Sequence, residues 1–166
     1  MPSPNCDERP AGEAVTLLVL HSISLPPGAY CGDAVERFFT NRLDAEAHPY
    51  FDGIKNLRVS AHFLVRRDGE IIQFVPTGRR AWHAGESMWR GRSRCNDFSL
   101  GIELEGVDDD SFEPAQYRRL AELLDALGAA LPLSDIAAHS DIAPARKTDP
   151  GAFFDWRGCL TLFAGV

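Results

Sequence analysis

The chain is predicted to form a single α/β (α+β) domain, a central mixed β-sheet flanked by helices, and three stretches carry that prediction. Thr16-Leu-Leu-Val-Leu-His21 is a continuous apolar run suited to a strand covered on both faces. Ser99-Leu-Gly-Ile-Glu-Leu-Glu105 alternates, with Leu100, Ile102 and Leu104 on one face and Gly101, Glu103 and Glu105 on the other. From Pro114 onward, Tyr117, Leu120, Leu124, Leu127 and Leu131 recur at helical spacing, while Arg118, Arg119, Glu122 and Asp125 face water. Strands and helices interleave without an internal repeat, which calls for helices packed on a sheet.

In chain order, residues 1–14 read as a polar, proline-containing, irregular arm, and the domain runs from 15 to 166. The 166 residues of the whole chain, 45% of them apolar, suffice for one core and are too few for two ordinary domains. After the first strand, Ser24-Leu-Pro-Pro-Gly28 forces a loop, and Asp33 can cap a short helix that turns Val35, Phe38 and Phe39 inward. Residues 41–56 show no period and are expected to be a long surface loop of the kind that often carries function. Val59–Arg66 and Glu70–Val75 flank Arg67-Asp68-Gly69 and should pair as an antiparallel hairpin. Thr77–Asp97, with Trp82, His83 and Trp89 among Gly, Arg and Ser, reads as a second functional loop, and Asp135–His139 as a short strand.

A formal net charge of -7 speaks against a nucleic-acid partner, because phosphate binding needs clustered Lys and Arg, and here the arginines are interleaved with acids. A small soluble substrate is the better expectation. Cys6, Cys31, Cys95 and Cys159 are widely spaced and contain no Cys-x-x-Cys pair, so free thiols in a reducing compartment are expected. No basic segment precedes the short run Val15–Leu20, which is far below the roughly 20 apolar residues that span a bilayer. A cytoplasmic protein without membrane contact is the reading that follows, and a monomer is expected.

The densest chemistry lies in His139-Ser-Asp-Ile-Ala-Pro-Ala-Arg-Lys-Thr-Asp-Pro150, where two prolines are expected to hold an imidazole, a lysine and two carboxylates out of helix. Imidazole and carboxylate are both first-choice zinc ligands, and Asp141 and Asp149 both qualify on type. His21 and His139 each end a predicted strand where the chain breaks into a loop, the usual place for site residues in sheet folds. His62, in mid-strand, is their main competitor as a ligand; His48 has no such placement, and His83, beside Trp82, is better suited to touching substrate. A set of His21, His139 and Asp149 would leave one tetrahedral position open, as hydrolytic zinc sites require. Glu103 and Glu105 share a strand face, so either could serve as general base, and Lys147 could stabilise an oxyanion.

The blocks Leu17-Leu-Val-Leu-His21, Ser60-Ala-His-Phe-Leu-Val65, Arg80-Ala-Trp-His-Ala-Gly85, Asn96 through Gly106 and His139 through Pro150 follow one another in an order that closely resembles the AmpD-type anhydro-N-acetylmuramyl-L-alanine amidases, of the amidase and peptidoglycan-recognition-protein fold. The resemblance runs from about Pro2 to Trp156. It implies one zinc ion per chain held by His21, His139 and Asp149, with Glu103 as general acid and base and Lys147 as stabiliser of the tetrahedral intermediate. It thereby favours Glu103 over Glu105, disfavours His62 as a ligand and leaves Asp141 a supporting role. It also implies cleavage of the amide between the lactyl group of anhydro-N-acetylmuramic acid and L-alanine, in cytoplasmic cell-wall recycling. Arg58 and Arg94 stand at positions resembling the family's peptide-binding arginines, and a guanidinium fork suits the carboxylates of a stem peptide. Trp82 and His83 would line the same cleft. Ser22 departs from the family's Asn and offers a sugar a shorter side chain. The alternative reading is a non-catalytic module of the same fold that binds peptidoglycan fragments.

Overall fold

The computed structural model describes residues 1–163, so the last three residues of the expected domain lie outside it. Its centre is a five-stranded sheet in the order β4-β3-β8-β2-β9, built from β2 (Leu17–Ile23), β3 (Phe63–Val65), β4 (Ile71–Gln73), β8 (Ser99–Glu105) and β9 (Asp135–Ala138). Strands β3, β8, β2 and β9 run parallel and β4 joins β3 antiparallel, which makes the sheet mixed. All seven residues of β8 and the first five of β2 are buried, as the continuous apolar run of β2 requires.

The pleat sorts the two central strands onto two faces. Leu18, Leu20, Leu100, Ile102 and Leu104 point to one side, where Leu120, Leu124 and Leu127 of α3 (Pro114–Ala130) cover them together with Phe154 and Cys159 near α5 (Trp156–Phe163). Helix α3 opens with Pro114 in its first turn and a capping box between Glu113 and Gln116. Leu17 and Val19 point to the other side, against Ala84, Phe98, Ala137 and Ile142. His21, Gly101, Glu103 and Glu105 share that second face by the same period of two. The candidate site residues of these two strands therefore lie on the sheet face away from α3.

Several sequence expectations are corrected. The arm is not irregular: β1 (Cys6–Glu8) pairs antiparallel with β5 (Arg79–Ala81), and Asp7 accepts two hydrogen bonds from Arg80 at 2.7 and 2.6 Å. Asn5 is buried and donates to the carbonyls of Phe39 and Val59, and Arg9 donates to the carbonyls of Asn96, Asp97 and Ser99. Asn5 is hidden in the interior and Arg9 half-buried because backbone carbonyls receive their donors, a pairing that hydropathy does not register. The hairpin is as expected, although its strands are shorter than 59–66 and 70–75.

The short helix after Asp33 is α1 (Ala34–Phe39), and within 41–56 a single turn, α2 (Pro49–Asp52), is capped by His48, whose Nδ1 accepts from the Tyr50 amide. Residues 77–97 hold β5, the small hairpin β6 (Met88–Trp89) with β7 (Arg92–Ser93), and a turn of 3-10 helix at Cys95–Asp97. The opening of the His139 segment is one helical turn, α4 (His139–Ile142), because Pro144 lies beyond it and Asp141 accepts from the Ala138 amide at 2.8 Å. Asp141 is thus a capping residue. All four cysteines are free.

Candidate active site

His21 sits near the C-terminal end of β2, directly beside Glu103 in the β2–β8 register. His139 follows β9, and Asp149 returns to it through the loop after α4, its carbonyl accepting from the Ser140 amide at 3.0 Å. The parallel order β8-β2-β9 brings all three strand ends to one edge of the sheet, the usual place for a site in parallel architectures. A cleft of about 550 Å³ opens there. His21, Ser22, Glu103, Asp108, His139, Lys147 and Asp149 line its polar end, and Leu25, Phe38, Ile54 and Leu57 belong to its apolar wall.

His21 Nδ1, His139 Nδ1 and one Asp149 carboxylate oxygen converge. The two Nδ1 atoms are 2.8 Å apart, and the oxygen lies 3.3 Å from His21 and 3.0 Å from His139. Ligands about 2.0–2.2 Å from a tetrahedral zinc ion stand roughly 3.3 Å from one another, so the donor set fits that ion in type and in spacing. With both Nδ1 atoms unprotonated, the three groups turn lone pairs toward one point, an arrangement that a cation among them would stabilise. Burial pulls His21 down to about 4 against the attraction of Asp149, which keeps the ring neutral and available as a ligand. Burial raises the Asp149 carboxyl, but its contacts with His139 and His21 lower it further, leaving it ionised well below the usual carboxylate range.

His62 is not part of this set. Its Nδ1 accepts from the Gly101 amide at 3.0 Å and its Nε2 donates to the Arg79 carbonyl at 3.1 Å, so both nitrogens are spent in the core. Burial takes its pKa down to about 3. His83 lines the cleft but is buried behind His21, with its Nδ1 3.0 Å from His21 Nε2.

The two glutamates of β8 have opposite surroundings. Glu103 is buried in the cleft wall with one carboxylate oxygen lacking any hydrogen-bond partner. Burial and the nearby Asp149 push its pKa well above the carboxylate range, and Lys147 offsets part of that. Glu105 is outside the cleft, with its two oxygens accepting from the amides of Cys31 at 2.9 Å and Arg67 at 3.1 Å.

Of the expected substrate contacts, Ser22 and His83 line the cleft, and Ser22 donates to Asp108 at 2.9 Å. Arg58 is exposed and turned back on the carbonyls of Lys55 and Leu57, Arg94 is exposed and 3.2 Å from Asp97, and Trp82 donates from its indole nitrogen to Asp7. None of these three is in the cleft lining.

Sequence reasoning missed the supports. Asn96 accepts from the amides of both His83 and Ala84, and Arg146 donates to the Ala84 carbonyl, which also receives His139 Nε2 at 3.4 Å. Asp108 bridges Ser22 and Thr148, the neighbours of His21 and Asp149. Extending the period of two back from Glu103 would have put Ser99 on the same face; nothing in the sequence pointed to Asn96 or Asp108.

Residues 11–152 match the family model for N-acetylmuramoyl-L-alanine amidase. The 1,6-anhydro-N-acetylmuramyl-L-alanine amidase AmpD of Citrobacter freundii is 55% identical over 158 residues, which is 94% of this chain and 84% of that protein. A selenomethionine AmpD crystal structure superposes with a TM-score of 0.96 at 54% identity, over 98% of this chain and 92% of that one. The Escherichia coli amidase AmiD, solved with anhydro-N-acetylmuramic acid-L-Ala-D-gamma-Glu-L-Lys, superposes with a TM-score of 0.65 at 30% identity, over 95% of this chain and 65% of that one. The chain therefore belongs to the N-acetylmuramoyl-L-alanine amidase family and is an amidase of its AmpD type.

Proposed function

We propose that this enzyme is a zinc-dependent amidase that cleaves the bond between the lactyl group of (anhydro-)N-acetylmuramic acid and L-alanine in muropeptides. The observation that carries the reading is the convergence of His21 Nδ1, His139 Nδ1 and the Asp149 carboxylate beside the unpartnered carboxylate of Glu103. The AmpD relatives' names and the muropeptide bound to AmiD support the substrate class. We take the enzyme to act as a monomer on a small molecule. Among the described residues no helix is long and apolar enough to cross a membrane. A cytoplasmic place in cell-wall recycling fits the AmpD relationship and is part of the proposal.

His21, His139 and Asp149 would hold the ion, which when bound supplies a Lewis acid that acidifies water and polarises the scissile carbonyl. Glu103, desolvated and beside Asp149, is the base that takes the proton from the attacking water; its elevated pKa lets it retain that proton and return it to the departing alanine nitrogen. Lys147 contributes positive charge on the same wall, where the carbonyl oxygen becomes anionic. The apolar wall excludes water from the reacting amide and offers contact area for the sugar and the alanine methyl.

Metal analysis and turnover of one preparation test the reading together. Wild-type protein should carry about one zinc per chain and release stem peptide from anhydro-muropeptide faster than from intact peptidoglycan. Asp149→Ala should lose both the zinc and the turnover. Full amidase activity in metal-free protein would overturn the proposal.

A further inference from the structure

His83 is a buried histidine that the proposed reaction does not use, and its hydrogen bonds have a direction that can be traced. Ser99 Oγ lies 2.6 Å from the Cys95 carbonyl, which can only accept, so the hydroxyl proton points there. Toward His83 Nε2, 3.2 Å away, the same oxygen can then only accept, and Nε2 carries the ring proton. That leaves His83 Nδ1 as a lone pair, 3.0 Å from His21 Nε2, which must be the donor. With its proton on Nε2, His21 presents an unprotonated Nδ1 to His139 and Asp149. A single backbone carbonyl at Cys95 thus sets the polarity of three successive hydrogen bonds ending at the cluster.

The surroundings of His83 are built for this chain. Its ring meets that of His21 edge-on, at 88° with centroids 5.1 Å apart. A Cβ on Gly101 would fall 2.4 Å from His83 Cγ, so the glycine in β8 makes the slot in which the ring lies. Asn96 holds the His83 amide from the other side.

We propose that His83 is a positioning residue: through Ser99 and the Cys95 carbonyl it fixes the tautomer and orientation of His21, so that Nδ1 faces the metal. A fixed outer hydrogen bond of this kind typically accounts for about 10–100-fold in metal affinity. Burial holds His83 well below the usual imidazole range, in agreement with a ring that stays neutral and can accept. The inference rests on the zinc reading above, and the following experiment separates the two.

Zinc affinity is measured on wild type, His83→Phe and His83→Asn by competition with a chromogenic chelator, with unfolding midpoints recorded beside it. Phe fills the slot without an acceptor, whereas Asn keeps an oxygen close to the position of Nδ1. The expected result is about 10–100-fold weaker zinc binding for Phe and near-wild-type binding for Asn, at similar unfolding midpoints. A folded His83→Phe protein that binds zinc as tightly as wild type overturns the inference. If wild type itself binds no zinc, the zinc reading fails first. Should His83→Phe not fold, the zinc-loaded wild-type protein decides: a nitrogen–nitrogen coupling across the hydrogen bond from His21 Nε2 to His83 Nδ1 is expected in ¹⁵N spectra, and a proton on His83 Nδ1 overturns the assignment.

Discussion

Glu103 and Glu105 are two residues apart on one face of one strand, both buried, and the protein treats them in opposite ways. Glu105 has both oxygens occupied by backbone amides, those of Cys31 and Arg67, with the Arg66 guanidinium 3.8 Å away. It ties the loop before α1 and the turn after β3 to the end of β8. Glu103 faces the cleft with an oxygen that nothing in the protein satisfies, beside an ionised Asp149 that makes its own ionisation costly. A carboxylate saturated by donors is a structural clamp; one deprived of them keeps the capacity to take a proton from something else. On the proposed mechanism the same residue type becomes fastener or base according to what surrounds it.

The largest test of that contrast is Glu103→Gln. Turnover should fall by about 10²–10⁴-fold, the usual share of a general acid–base, while zinc content and the unfolding midpoint hold. Near-wild-type turnover in a zinc-loaded variant would erase the distinction.

Glu105→Gln should do the reverse. An amide nitrogen in place of one oxygen leaves a backbone N–H of Cys31 or Arg67 facing another donor, at a cost of about 1–3 kcal/mol. Denaturant titration should register that loss, with turnover per folded molecule changed less than a few-fold on this scale. A variant as stable as wild type would show that the clamp is idle.

The smallest effect is in acid. Unfolded histidine titrates near 6.5, and folded His62 is held down to about 3, so its stabilisation is whole above pH 6.5 and is lost as pH falls through that window. Glu103 has the opposite sign: its folded value is raised, so its contribution is whole below the ordinary carboxylate range and fades as pH rises through the raised value. Unfolding free energy should therefore decline below pH 6.5, by at most about 1.4 kcal/mol per pH unit for each buried histidine. Glu103→Gln should steepen the decline by removing the opposing proton uptake. A Glu103→Gln profile that stays flat from pH 7 down to 4.5 would contradict the His62 assignment, and one no steeper than wild type would contradict the Glu103 assignment.

The elements that organise the fold were legible because each carried its own signal. Leu17–Leu20 could only be a covered strand, the alternation of 99–105 sorted its residues onto two faces, and the leucines of α3 marked the covered stripe. The arm was misread because Asn5, Asp7 and Arg9 look like solvent-exposed residues until their partners, up to 90 positions away, are known. Of the two residues expected to line the cleft from 82–83, His83 does so while also packing behind His21, whereas Trp82 bonds to Asp7 and is absent from the lining.

By itself the sequence determined the fold class, the residue types able to hold a metal, and a strand face bearing two candidate bases, since periodicity and residue chemistry are local. Only the tertiary structure decided which candidates meet. The parallel order β8-β2-β9 brings His21 to His139 across 118 positions, spends both nitrogens of His62 in the core, and leaves Glu103 rather than Glu105 without donors. Those outcomes depend on which backbone amide or carbonyl lies across each side chain, and that is set by strand register and loop closure between segments distant in the chain.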